Sequence, residues 1–169
     1  MTQHTTKQLE TRTGYRFVVR PASDEDEPKL ADFFHHVGPE DLRFRFLSTV
    51  RAVSYDRLVA MMHPDERTDS IIAENDRGEI IAAAMLAGDA AGERGEVAVS
   101  IRDDHKGRGI GWTLLDHLVE IARLRGYASI ESIEDRQNRA AISLEQEMGF
   151  VSEPIEGEPT LILVRKPLR

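Results

Sequence analysis

The chain has 169 residues, with 22 Lys and Arg against 30 Asp and Glu, a formal net charge of −8 and no cysteine. That length suits one compact domain, and a 40% apolar composition excludes a mostly disordered chain. Without cysteine there is no disulfide scaffold, thiolate zinc site or cysteine nucleophile. No apolar run approaches the roughly 18 residues of a membrane span. The start, MTQHTTKQLETRTG, lacks the apolar stretch of a secretory signal. A cytoplasmic protein is expected, with no membrane partner. Net acidity also argues against nucleic acid, whose binding rests on phosphate neutralisation by Lys and Arg, and favours amine-bearing partners.

Residues 1–13 read as a disordered tail, and residues 14–169 as a single domain. Tyr15 to Arg20 (YRFVVR) is a strand stopped by Pro21. Ser23 with Asp24, Glu25 and Asp26 resembles a helix start, and Leu30, Phe33, Phe34 and Val37 continue at helical spacing until Gly38-Pro39. PEDLRFRFLS reads as a connection or short helical turn, and Tyr55 to His63 as a short helix. Strands are expected at Ser70–Glu74, Glu79–Leu86 and Glu96–Ile101. A turn at residues 75–78 separates the first two, and a Gly/Ala-rich loop at 88–95 precedes the third. An amphipathic helix then runs from about Ile110 to Arg125 on Leu114, Leu115, Leu118, Ile121 and Ala122, stopped by Gly126. Tyr127–Ile133 is a strand, Asn138–Met148 a helix and Thr160–Arg165 a last strand, with a further short strand near 150–153. The order is that of a mixed α/β (α+β) domain.

The most informative stretch is EVAVSIRDDHKGRGIGWTLL, Glu96 to Leu115. A strand leads into Gly107, Gly109 and Gly111, and a helix begins among the glycines. Glycine lets backbone amides approach a ligand closely, and the helix N-terminus adds partial positive charge, so the loop reads as an anion site, with a plain glycine-rich strand-to-helix turn and solvated basic residues as the competing reading. Arg102, Lys106 and Arg108 cluster there. A Walker loop needs Lys and Ser/Thr after the last glycine, where Trp112 and Thr113 stand. The dinucleotide fingerprint needs GxGxxG, whereas the sequence is GxGxG.

The segment Lys106-Gly107-Arg108-Gly109-Ile110-Gly111 resembles the (Q/R)xxGx(G/A) loop of the GNAT superfamily of acyl-CoA-dependent N-acetyltransferases, with Lys at the first position. NRAAISLEQEMGF, Asn138 to Phe150, resembles the family's second block, matching at Asn138, Ala141, Leu144, Gly149 and Phe150. Within the superfamily the chain looks most like the catalytic domains of bacterial Pat-type protein lysine acetyltransferases. GPEDLRFRFLS and GEVAVSIRDDHKGRGIG carry that likeness. The resemblance implies a mostly antiparallel central sheet flanked by helices. It also implies direct acetyl transfer from acetyl-CoA to an amine acceptor, without a metal or an acyl-enzyme. Main-chain groups of Val99, Ser100 and Ile101 would pair with the pantetheine arm. Lys106, Gly107, Arg108, Gly109, Ile110, Gly111 and Trp112 would hold the pyrophosphate, and Asn138 would contact pantetheine. Family members are often dimers, so the resemblance leaves a homodimer open, with no interface marked in the sequence.

A lysine amine of pKa ~10.4 is about 0.1% neutral near pH 7.4, so a general base helps by roughly 10²–10⁴-fold. Glu96 matches the glutamate base of the Pat-type enzymes. It shares a strand face with Ala98 and Ser100, and an ordinary strand-end carboxylate is the competing reading. Many relatives protonate the leaving thiolate with a tyrosine, where this chain has Glu145. An ionised glutamate cannot do so, and no general acid is assigned. Arg43, Phe44, Arg45 and Phe46 are expected on the acceptor side, with alternation suggesting buried aromatics and outward arginines. Trp112 either covers the loop or packs. Two alternatives stand beside a protein lysine acetyltransferase: a small-molecule amine acetyltransferase, and a non-catalytic acyl-CoA sensor.

Overall fold

The computed structural model describes residues 6–47 and 53–169. In chain order the elements are β1 (Lys7–Glu10), β2 (Arg16–Pro21), α1 (Glu27–His35), α2 (Pro39–Phe46), α3 (Tyr55–Met62), β3 (Thr68–Glu74), β4 (Ile80–Gly88) and β5 (Arg94–Ile101). They continue as α4 (Ile110–Leu124), β6 (Ser129–Asp135), α5 (Arg139–Glu147), β7 (Val151–Ile155) and β8 (Glu158–Pro167). The strands form one eight-stranded sheet in the order β1-β2-β3-β4-β5-β6-β8-β7. Among the described residues its single parallel pairing is β5 with β6.

The apolar residues fall on both faces of this sheet. One core packs Leu114, Leu118 and Ile121 of α4 against Phe17, Ile81, Leu86, Val97 and Ile130. The other packs Leu30, Phe33 and Phe34 of α1 with Leu42, Leu58 and Met61 against Ile72 and Ile80. Strand alternation sends neighbouring residues to opposite layers, which is why β3 and β4 are buried nearly throughout. α1 begins in an ion-pair network. Asp26 accepts two bonds from Arg20, at 2.6 and 3.0 Å, and one from the Ser23 amide at 2.7 Å.

Three expectations change. Lys7–Glu10 is not tail but a strand paired with Arg16–Val19. Thr11 behind it is buried and accepts a hydrogen bond from the Tyr15 amide through its hydroxyl. Residues 1–5 lie outside the described residues. PEDLRFRFLS carries a two-turn helix, α2, started by Pro39 in its first turn; Ser48 at its end lies outside the described residues. The RFRF stretch therefore does not alternate between core and solvent: Arg43, Phe44, Arg45 and Phe46 are all half-buried. Finally, β4 and β5 extend into the expected loop, leaving a tight connection of residues 89–93.

Candidate active site

The cleft arises where two strands part. β5 pairs with β6 over three residues only, Arg94, Gly95 and Glu96 opposite Ser129, Ile130 and Glu131. β5 continues with β4 to Ile101, while β6 continues with β8 to Asp135. From Val97 onward the β6-facing edge of β5 thus borders a cavity of about 430 Å³. That cavity reaches from Glu96 to the glycine loop and across to α5.

The loop is shaped as the glycines require. Gly107 and Gly109 have φ of +80° and +85°, a region open to glycine and strained for other residues. Gly109 caps α4, so the amides of its first turn have no intrahelical acceptor and point outward. Lys106, Gly107, Gly109, Ile110, Gly111 and Trp112 all line the cavity. The basic cluster is largely spoken for. Lys106 donates to Asp41 of α2 at 2.6 Å, Arg102 to Asp104 at 2.9 Å, and Arg108 leans over the Tyr15 ring. Trp112 is half-buried beneath the Arg12 guanidinium, 4.3 Å from its ring centre.

Glu96 is exposed at the cavity's end, and Val99, Ser100 and Ile101 lie along its floor. The Ser100 hydroxyl is buried with no hydrogen-bond partner among the described residues. Such an orphan, beside an unpaired strand edge, suits a ligand that brings its own amides. Asn138 caps α5 and also reaches Glu134 at 3.5 Å.

The four α2 candidates divide. Phe44 and Arg45 line the cavity; Arg43 and Phe46 are not among its lining residues. Arg43 crosses to Asp135 and Gln137, and Phe46 packs beside Phe34. Burial holds the Arg45 guanidinium below its usual value, with Glu96 nearby acting in the opposite sense.

Sequence reasoning passed over Asp41, Ser132 and Glu134, and set Glu145 aside as an ionised side chain. Ser132, Glu134 and Glu145 all line the cavity. Ser132 donates to Glu134 at 2.8 Å. Glu145 is 5% exposed, and its Oε1 has no hydrogen-bond partner among the described residues. Burial, and then the Glu134 charge, push the Glu145 carboxyl up to about 9. Both influences favour its neutral form, whereas the sequence reading took it as ionised. Burial raises Glu134 as well, opposed by the Ser132 hydrogen bond. A signal was present in the sequence: Ser132 and Glu134 fall on the same strand face as the buried, apolar Ile130.

No group of three His, Cys, Asp or Glu suited to a metal occurs among the described residues, and no described helix is long and apolar enough to cross a membrane.

Comparison with known proteins agrees with this geometry. An acetyltransferase of Pseudomonas aeruginosa is 29% identical over 159 residues, spanning 92% of this chain and 86% of the relative. The GNAT domain of S. lividans PAT superposes with a TM-score of 0.88 at 24% identity, covering 96% of each chain. Spermidine N-acetyltransferase from Vibrio cholerae, solved in complex with CoA and spermine, superposes at 0.70 with 19% identity, over 88% of this chain and 92% of that one. Residues 31–150, which run from α1 through the strand cleft and glycine loop to the end of the second block, match the acetyltransferase (GNAT) family. The chain thus belongs to the GNAT family and is an acetyl-CoA-dependent acetyltransferase.

Proposed function

We propose that this enzyme transfers an acetyl group from acetyl-CoA directly to a primary amine, with Glu96 as general base and a protein lysine as acceptor. The observation that carries the reading is the parting of β5 from β6 just beyond Glu96. A pantetheine arm laid along Val99, Ser100 and Ile101 as an added strand would deliver its thioester to the Glu96 end. Its pyrophosphate would meet the amides of residues 107–112, with Lys106 and Arg108 beside it and Asn138 opposite. The amine would approach past Phe44 and Arg45, lose a proton to Glu96 and attack the carbonyl carbon. Glu96 is exposed, so a lysine side chain can reach it from a macromolecular surface.

Glu96→Gln tests the base, since it keeps shape but cannot accept the proton. kcat should fall roughly 10²-fold or more, with acetyl-CoA affinity within about threefold. A near-wild-type kcat at saturating acceptor would remove Glu96 from the role. Labelled acetyl-CoA with a panel of lysine peptides, polyamines and amino acids tests the acceptor. Preference for a free amino acid or polyamine by kcat/KM overturns the lysine assignment and leaves the base standing.

A further inference from the structure

We infer that Arg45, with the exposed Arg57 beside it, forms a subsite for a carboxylate that the acceptor carries close to its amine. The inference deepens the acceptor half of the proposed reaction and rests on the amine reaching Glu96.

Charge pairing is the first observation. Among the described residues six arginines are half-buried. Arg20, Arg43, Arg102, Arg125 and Arg165 each form an ion pair with Asp or Glu, at 2.6–3.2 Å. Arg45 has no such partner, in a chain whose net charge is −8. Of the five N–H donors of a guanidinium, one meets a weak acceptor, the Met85 sulfur at 3.5 Å, and the group stands 4.8 Å from the Phe46 ring centre. Arg57 faces the same ring at 4.2 Å and has no carboxylate partner among the described residues either. Taking a cation out of water with no anion to receive it costs stability, a cost that functional sites carry and plain scaffolding does not need.

Place is the second. Met85 of β4 is paired with Ala98 of β5, and Ala98 shares a sheet face with Glu96, two residues away. α2 therefore holds the Arg45 guanidinium over the face that carries Glu96. Arg45 lines the main cleft and also a chamber of about 10 Å³, room for one water. The floor of that chamber includes Ala83, Ala98 and Ser100, small side chains that leave the space to water or to a ligand atom.

Chemistry is the third. A guanidinium is a planar fork that receives a carboxylate through two parallel hydrogen bonds. Arg45 and Arg57 bring two positive charges, and Glu96 in its role as base brings one negative. Asp41, one turn before Arg45 on α2, is engaged by Lys106 at 2.6 Å. The surplus of one positive charge matches a monoanionic carboxylate better than a phosphate, which carries close to two charges. An amine acceptor arrives as a cation, which the two arginines repel; a carboxylate beside the amine turns repulsion into attraction. Two acceptors offer this chemistry: a protein lysine next to an acidic side chain, and a free amino acid.

The test compares acceptors matched in all but the carboxylate: lysine peptides flanked by glutamate or by glutamine, and amino acids against their amides. For each pair kcat/KM is measured with wild type and with Arg45→Gln, and the ratio of ratios cancels the different basicity of the amines. Wild type should favour the carboxylate-bearing member of at least one pair by about tenfold or more, and Arg45→Gln should bring that preference within about threefold. Arg45→Lys, which keeps the charge but loses the fork, should retain part of it. Arg57→Gln, an exposed change, should weaken it by less than Arg45→Gln. Acetyl-CoA affinity by calorimetry should stay within about threefold in all three variants. Calorimetry of the same acceptors on the CoA-bound enzyme should rank them in the same order, and it reads the subsite independently of turnover. Preference within the peptide pair identifies an acidic lysine site; preference within the amino-acid pair identifies a free amino acid, which keeps the subsite and removes the protein lysine. Equal use of charged and neutral members by wild type overturns the proposal, as does a preference that survives Arg45→Gln. A wild-type preference for succinyl-CoA over butyryl-CoA that Arg45→Gln abolishes, with no preference among acceptors, also overturns it, because the carboxylate then belongs to the acyl chain. Failure of the Glu96 assignment shows separately, as undiminished kcat in Glu96→Gln.

Discussion

Asp26 and Glu145 are almost equally hidden, 2% and 5% exposed, yet their surroundings push their proton affinities in opposite directions. Burial alone would push Asp26 up, but the bidentate Arg20 guanidinium and the Ser23 amide and hydroxyl outweigh it and leave the carboxyl below the usual range. Glu145 has burial and a second carboxylate, with no cation to offset them, and is pushed the other way. The first arrangement anchors the start of α1 to β2 and tightens the fold. The second sacrifices stability to keep an unpaired acid inside the cleft, which a structural site has no reason to retain.

The largest effect expected from this contrast is on the anchored side. Arg20→Met strips Asp26 of its partner and leaves a charge in a site that excludes water. A loss of about 3 kcal/mol in urea unfolding at pH 7 is expected, or roughly 6–12 °C in Tm. A loss below ~1 kcal/mol would mean that Asp26 is held by Ser23 and solvent instead. The pH dependence has a fixed sign. A lowered carboxyl contributes stability that is present above its unfolded value near 3.8 and is lost as the pH falls below it. The destabilisation by Arg20→Met should therefore shrink in acid.

The cleft pair gives the next effect, of opposite sign. Because Glu145 binds its proton more tightly folded than unfolded, stability is full below about 4.5 and declines as the pH rises from there toward about 9. Glu145→Gln escapes this decline. It should gain about 1–2 kcal/mol over wild type at pH 8 and nothing at pH 4, read from thermal unfolding at both pH values. A variant that is more stable at pH 8 is the signature of a strained functional site; one that is destabilised at pH 8 would make Glu145 an ordinary core residue. The smallest effect marks the scale of exposed charge. Lys7 and Glu120, 3.7 Å apart and 54% and 59% exposed, form a pair open to solvent and salt. Lys7→Ala should change stability by no more than about 0.5 kcal/mol.

Much of the scaffold was legible because helices and buried strands write their period into the chain. Leu114, Leu115, Leu118, Ile121 and Ala122 mark α4, and all are buried. The glycine loop and the second block were legible too, since positive φ demands glycine at 107 and 109. β1 was not, because KQLE is an edge strand with one half-buried residue and no alternation to see. α2 was misjudged because its arginines and phenylalanines alternate at the period of a strand. Pro39, at a position where helices start, was the stronger cue. The raised proton affinity of Glu145 could not be read locally at all. It depends on Glu134, eleven positions earlier and on another element, and on how dry the space between them is.

The three-residue union of β5 and β6 also bears on mechanics. It is the only strand-to-strand stitch, among the described residues, between the block β1–β5 and the block β6–β8–β7. It is the shortest pairing in the sheet, and α4, packed on both Val97 and Ile130, holds it from one face. In the proposed binding mode a donor molecule along β5 bridges that seam, so occupancy and rigidity should rise together. Mass action sets the scale: acetyl-CoA at a hundred times its Kd adds about 2.7 kcal/mol to the folded state. The amides of Val97 to Ile101 should then exchange with solvent far more slowly in the presence of donor. If the donor binds as proposed, resistance to proteolysis should rise with the acetyl-CoA concentration around the enzyme.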